Sequence, residues 1–561
     1  MRRTSGIDAP STTRWPRNVL VMAGLFALIC FALQVWRLFS LSATYDQALF
    51  LQELWATAQG RPFESSLSSV LSGDVVVGDG LPSIDYLHLG QHANVLTVLM
   101  APLVVVFGIW ALPLLQVGLL AAAGLVLWRL ADSRLPRPLA ERITLAYFLS
   151  GAVIGPALEN FHDLIWLPLL AFLVVGGLLD GCRWRVWLFG VLLLLVREDS
   201  GLLLFSLGLW ALVRRPDQRI TGALLMLVSF GWVVLVTGWI QPMVDSSLSD
   251  RFLKEKFGHL VDDPSGGTVA VLWALLRQPL ALLDALVSPP GATLGFVLAL
   301  SLPLVLVPLI SVDAALLMAA PLLIALLSQG RSALSVTLRY VLALVPGLYL
   351  GAVLWWQRNP GVWSKLWLRR CWTAALTLGL VLTLVGNPHR TLSAVIPDSF
   401  SPWAYVSPQH MLERRKAASE AVALIPSDAS VAADTPLLPL LARREAAIRF
   451  PRHVQYRDRE GRVQPVDWVV ALPGYYAPLA PVFKGSRNKQ QRIQRELLKL
   501  KASGDYRLVH CHGGAVVLQR QEHDTAPDPM ASAGSSSSCL WLESASSPEP
   551  VGLTPSPGLR G

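Results

Sequence analysis

Charge is scarce in this chain: Asp, Glu, Lys and Arg together make up 15% of 561 residues, where a soluble domain carries about a quarter. With 53% hydrophobic residues and a mean hydropathy of +0.48, that scarcity excludes an ordinary soluble fold and points to a membrane protein. Cysteine is scarce too. Cys30, Cys182, Cys371, Cys511 and Cys539 lie far apart, without paired ligand spacing or a dense disulfide framework. Also missing are a Walker loop, a GxGxxG after a strand, and any internal repeat. The formal charge of +9 does not imply nucleic acid, because Arg and Lys gather in short loops beside apolar runs, where they set topology.

Those runs define the organisation. The first, 19–41, follows Arg2, Arg3, Arg14 and Arg17, is about as long as a full span, and precedes no convincing small-residue cleavage site. It reads as a retained helix leaving a cytoplasmic N-terminus, 1–17. It delivers a polar loop, 42–94, to the outer face. The apolar stretch 95–129 contains Pro102, Gly108 and Pro113 and splits into an interfacial or re-entrant helix, 95–107, and a span, 110–128. Further spans are expected at 143–158, 164–179, 186–196, 201–213, 220–240, 293–310, 314–327, 334–356 and 371–385, with 241–267 a second outer loop and 269–286 amphipathic. The fold class is therefore a polytopic α-helical membrane protein of about eleven spans within 18–386.

Beyond Pro388 charged residues become frequent and short alternating runs appear. Strands are expected at 430–433, 446–450 and 467–471, a helix at 435–442, a basic helix at 488–501 and a closing hairpin near 506–519. This makes 387–520 a small extracytoplasmic α/β domain. The Ser- and Pro-rich 521–561 reads as a disordered tail.

Four polar groups fall on one outer face in this topology. Asp46 follows the first span directly, flanked by Tyr45 and Gln47. Its carboxylate is a candidate general base or metal partner, with a solvated loop acid as the alternative. Asp85, His88 and His92 are spaced to share one helical face and suit a divalent metal or a phosphate, or else they are interfacial histidines. Glu159, His162 and Asp163 place an imidazole at helical spacing from carboxylates, or form a plain hairpin turn. Arg197, Glu198 and Asp199 sit between two short apolar runs, as a site or as a loop with a local ion pair. Together they bring acids, imidazoles and a guanidinium to the level of a lipid phosphate. Group transfer from a lipid-linked phosphate and proton-coupled transport both follow. The large outer domain and interfacial helices favour transfer.

YDQALFLQELW (45–55), GRP (60–62), LGQH (89–92) leading into an apolar Ala-Pro, NFHD (160–163), RED (197–199) and IPSDASVAA (425–433) occur in an order that resembles the bacterial membrane-protein family called domain of unknown function 2079, grouped with the GT-C glycosyltransferases. The resemblance is clearest over 40–215. It implies a GT-C-like enzyme using a polyprenyl-phosphate-linked sugar at the bacterial inner membrane, similar to protein mannosyltransferases and lipid A aminoarabinose transferases. Asp46 matches the acid of the first outer loop. His92, His162, Glu198 and Asp199 fall on the other polar motifs and would bind donor phosphate or a divalent metal. The sequence departs from the family pattern around His162, where it reads FHD, and in TLRYVLALVP (337–346), where Arg339 and Tyr340 are further candidates for phosphate contact. The acceptor would be an envelope protein, lipid or glycan. The runner-up functions are a non-enzymatic lipid or solute transporter and a membrane scaffold.

Overall fold

A computed structural model of the chain describes residues 15–246, 277, 279–328 and 332–521. Most of the expected N-terminal segment, most of the second outer loop and the C-terminal tail lie outside the described residues, as does the first part of the amphipathic run before 279.

Apolar residues on all sides give long helices whose outer faces stay uncovered by protein. The first, α1 (Arg17–Phe39), has 23 residues and is about 35 Å long. It exposes Leu20, Val21, Leu28 and Ile29 while burying Val19, Ala23 and Phe26. A chain with such exposed apolar faces is built for lipid contact. Among the described residues, six helices are long and apolar enough to cross a membrane: Arg17–Phe39, Ala101–Asp132, Asp163–Asp180, Pro216–Val244, Arg339–Arg358 and Leu366–Val385. Ser200–Arg214 and Pro290–Leu304 are shorter apolar helices. The sequence led to about eleven spans, and several of the others are short or broken helices here. The run 143–158 divides between α4 (Arg137–Leu149) and α5 (Gly151–Leu158), with Ser150 extended between them. The run 293–310 breaks where Val305 and Leu306 take left-handed backbone. The expected split at Gly108 is present, with φ +54 separating Ala101–Phe107 from α3 (Ala111–Asp132).

The bundle continues through α6 (Leu167–Asp180), α7 (Arg183–Leu194), α8 (Ser200–Arg214), α9 (Arg219–Leu235), α10 (Val345–Arg358) and α11 (Leu366–Val385). Small residues bring these helices together, as is usual where no water drives association. A Cβ on Gly351 of α10 would lie 2.3 Å from Ala314 Cβ and 2.4 Å from its Cα. Gly351→Ala is therefore expected to push two backbones apart and lower stability by about 1–3 kcal/mol, read as a fall in the unfolding midpoint of the purified protein. An unchanged midpoint would contradict the close approach.

Between α1 and α3 the first loop is not irregular. It folds into α2 (Tyr45–Ala58), a largely buried helix, followed by short turns. Onto this loop packs the C-terminal region. Its five-stranded sheet contains β1 (Val431–Asp434), β2 (Ala447–Phe450), β3 (Trp468–Ala471), β4 (Tyr506–His512) and β5 (Ala515–Arg520) in the order β2-β1-β3-β5-β4. The first three strands run parallel and the last two add antiparallel. Each strand and the basic helix α13 (Lys484–Ala502) fall where the sequence placed them. An additional helix, α12 (Pro408–Ala423), precedes the sheet. Docking is by hydrogen bonds from loop side chains to backbone at and before β2, and by an ion pair. Gln52 Nε2 donates to Arg444 O at 3.0 Å, Ser66 Oγ donates to Ala447 O at 2.9 Å, and Arg459 pairs with Glu64 at 2.6 Å.

Candidate functional site

The site begins where α5 stops. A helix end buried in protein leaves carbonyls that must find donors, and neighbouring side chains supply them. Gln34 Nε2 donates to Ala157 O at 2.8 Å and Glu159 O at 2.7 Å. Arg37 Nη1 donates to Leu158 O at 2.5 Å, and Gln116 Nε2 to Pro156 O at 2.5 Å. The following segment is tied to the start of α2. Asn160 Oδ1 accepts from Thr44 N and from Arg37 Nη2, both at 3.1 Å, and Phe161 N donates to Gln47 Oε1 at 2.8 Å. Two stretches over a hundred residues apart thereby share one geometry.

This junction places Asp46 in the first turn of α2, where the positive helix end favours a carboxylate. It faces Arg339. Arg339 Nη1 lies 3.3 Å from Asp46 Oδ2 and 2.6 Å from Glu159 Oε1, and the Arg339 backbone N–H donates to Glu159 Oε2 at 2.7 Å. Glu159 is almost fully buried, but the Asp46 side chain is 33% exposed. The Arg339 guanidinium sits 5.2 Å from the Tyr340 ring centroid. One cation thus bridges a buried acid and an accessible one.

Beside it lies a second cluster. His162 Nδ1 is 2.6 Å from Asp163 Oδ1, and His92 Nδ1 is 2.9 Å from Glu198 Oε1, whose other oxygen accepts from Ala93 N at 3.0 Å. Arg197 joins the two halves, pairing with Asp199 and lying 3.7 Å from Asp163 and 3.9 Å from Glu198. The His92 and His162 rings are 6.3 Å apart and the His88 and His92 rings 6.0 Å. His88 is buried, its Nδ1 2.7 Å from Ser68 Oγ. Burial pushes His88 down to about 3, and burial together with the Arg339 charge pushes His162 down to about 4, so both imidazoles are neutral at pH 7. Each carboxylate fixes the tautomer and orientation of its imidazole.

All the residues singled out from sequence except Asp85 converge here. Asp85 is exposed and bonded to Ser83. The expected shared helical face fails because only residues 88–90 form a single 3-10 turn. Sequence reasoning passed over Arg37, Asn160 and Glu53 as site residues. Glu53 is fully buried in α2, where Asn94 Nδ2 donates to both its oxygens at 2.9 and 3.0 Å. An acid set among Leu51, Leu54 and Trp55 was the available signal.

Burial pushes the Glu53 carboxyl from its ordinary 4.5 up to about 8, against the Asn94 bonds that lower it. A carboxyl that binds its proton more tightly when folded stabilises the fold fully below about pH 4.5, and this contribution is lost as pH rises through about 8. The purified protein is expected to lose up to roughly 1.4 kcal/mol per pH unit across that window. In Glu53→Gln the unfolding midpoint should fall less between pH 5 and 8. Equal slopes in both proteins would contradict a proton held at Glu53.

Among the described residues no group of three His, Cys, Asp or Glu side chains is placed to hold a metal ion. What the clusters do border is a cavity of about 120 Å³. Its polar end is Arg197, Asp199 and Tyr340, and its walls are Leu164, Leu203 and Pro321. The arrangement offers an accessible carboxylate, two guanidiniums and imidazoles oriented by carboxylates beside a largely apolar slot.

The sequence model of the family described as Predicted membrane protein (DUF2079) matches residues 37–517. No curated protein matches the chain. Among solved structures, ArnT from Cupriavidus metallidurans bound to undecaprenyl phosphate aligns at 12% identity and a TM-score of 0.47, covering 91% of this chain and 99% of that one. A similarity that distant says nothing about the chemistry here.

Proposed function

The chain belongs to the DUF2079 family of predicted membrane proteins, and from its site we propose that it is a GT-C-type glycosyltransferase moving a sugar from a polyprenyl-phosphate carrier to an envelope acceptor on the outer face of the bacterial inner membrane. The observation that carries this reading is the placement of the accessible Asp46 carboxylate against Arg339, whose neighbour Tyr340 lines a largely apolar slot together with the Arg197–Asp199 pair. A phosphate seeks guanidinium groups and an isoprenoid chain seeks apolar walls. A lipid-linked phosphate satisfies both.

In the proposed reaction Asp46 takes the proton of the acceptor hydroxyl as its oxygen attacks the anomeric carbon. The bond from that carbon to the phosphate oxygen breaks, and the polyprenyl monophosphate leaves with the bonding electron pair. Arg339 and Arg197 stabilise the charge that develops on the departing phosphate, and the imidazoles of His162 and His92 stand beside Arg197 and its acids. A single in-line displacement inverts the anomeric configuration. Glu159 positions Arg339 without touching the reacting atoms. A divalent ion is part of the proposal as well, with His92, His162, Glu198 and Asp199 as the residues that would hold it.

Turnover distinguishes this reading from a transporter or a scaffold. Proteoliposomes holding the full chain and the carrier-linked sugar pool of bacterial membranes are expected to release free polyprenyl monophosphate as sugar appears on an acceptor. Movement of intact donor across the bilayer with no free monophosphate would overturn the transferase reading in favour of transport.

A further inference from the structure

At the opposite end of the same bundle lies a second and larger cavity, about 650 Å³, within the size range of small-molecule sites. Three of the helices that frame the Asp46 site run into it. The N-terminal ends of α6, α8 and α10 lie near Asp163, Asp199 and Arg339, and their C-terminal ends supply Asp180, Arg214 and Arg358. Arg134, just after α3, and Arg215 complete the basic lining. By the positive-inside rule this end faces the cytoplasm.

Five guanidiniums here share three carboxylates. Arg134 and Arg185 both reach Asp180, at 3.4 and 3.6 Å, Arg215 pairs with Asp217 at 2.8 Å, and Arg214 and Arg358 share the buried Asp313. The result is an excess of two positive charges around a concave space. Part of the basic set caps helix ends. Arg134 Nη1 donates to Leu130 O at 3.0 Å and Arg215 Nη1 and Nη2 approach Leu179 O at 3.4 Å, as expected for cations at the negative end of a helix. Capping alone requires neither the cavity nor the surplus charge. Arg214 donates through Nε to Asp313 at 3.3 Å, and its side chain, one of those lining the cavity, is one-third exposed.

We propose that this cavity is an anion site for a phosphate-bearing ligand on the cytoplasmic side, separate from the Asp46 site and independent of the function assigned to it. Basic pockets between membrane helices on this side are suited to anionic phospholipid headgroups, and a soluble phosphate compound presents the same oxygens to the same guanidiniums.

The test compares the full-length wild-type protein with Arg134→Gln/Arg215→Gln, a pair that leaves buried Asp313 and its partners in place. One arm measures inorganic pyrophosphate binding by calorimetry in phosphatidylcholine nanodiscs. The other counts phosphatidylglycerol molecules retained in native mass spectra of detergent-purified protein. At least tenfold weaker binding in the double variant is expected in one arm or both, and the responding arm names the source of the phosphate. Binding of neither probe, or binding that the double variant leaves unchanged, would overturn the proposal and leave these arginines as helix caps. Should the double variant not fold, Arg215→Gln alone is compared, because its carboxylate partner Asp217 is half-exposed.

Discussion

Arg197→Met is expected to destabilise the protein by about 3–5 kcal/mol, the usual consequence of removing one partner from a buried ion pair. The Arg197 side chain is 4% exposed and that of Asp163 is fully buried, with Asp163 Oδ2 lacking any hydrogen-bond partner in the structure. Without the guanidinium, Asp163 keeps only neutral partners, the Leu164 N–H and the His162 imidazole, which is held neutral by burial first and then by Arg339. The loss should appear as a marked drop in the unfolding midpoint of the detergent-purified protein. Adding Asp163→Asn removes the stranded charge, so the double variant should regain part of the loss, a coupling that a thermodynamic cycle measures directly. Equal midpoints for wild type and Arg197→Met would mean that Asp163 is solvated and the cluster is not the closed unit described above.

The second large effect concerns chemistry and not stability. Asp46→Asn is expected to reduce sugar transfer by about 10²–10⁴-fold, the range general base catalysis supplies, or about 3–5 kcal/mol of barrier. Its stability cost should be small. Asp46 is one-third exposed and its contact with Arg339 is long, 3.3 Å, and pairs open to solvent contribute about 1 kcal/mol or less. Retention of the donor should survive, because the cations and apolar walls assigned to it remain. A variant that folds normally and keeps transfer within about tenfold of wild type would remove Asp46 from the role of base.

Much of this was legible in the sequence, and the exceptions have physical reasons. The C-terminal strands were found because β1 and β3 are short apolar runs bounded by turn residues, and the basic helix α13 because its apolar positions recur at helical spacing. Convergence of the polar motifs followed from sidedness alone, without any contact being known. The structure adds how they meet, through Arg339, a residue that the sequence marked as secondary. An arginine inside an apolar run carries no sign of which acids it will reach, and Glu159 and Asp46 lie 180 and 293 positions away.

The helix α2 was hidden for a different reason. Its Asp46, Gln47, Gln52 and Glu53 read as loop polarity, but Gln47, Gln52 and Glu53 are buried against partners from 160–161, 444–445 and Asn94. Composition shows that a segment is polar and not that another segment will satisfy it. The span count suffered likewise. A run of apolar residues does not show that Ser150 will end one helix and cap the next through its side chain, or that Gln34, Arg37 and Gln116 will complete the carbonyls left open after α5. Breaks at membrane depth are stable only because of such donors, and their sources are distant in sequence.

The most direct test of the account is release and mass analysis of the glycans on envelope lipids and proteins from three otherwise identical strains: one lacking the chain, one expressing it, and one expressing Asp46→Asn at matched membrane levels. The account predicts a sugar addition present only with the wild-type chain. Identical glycan profiles in all three, with both proteins shown to be folded in the membrane, would contradict it.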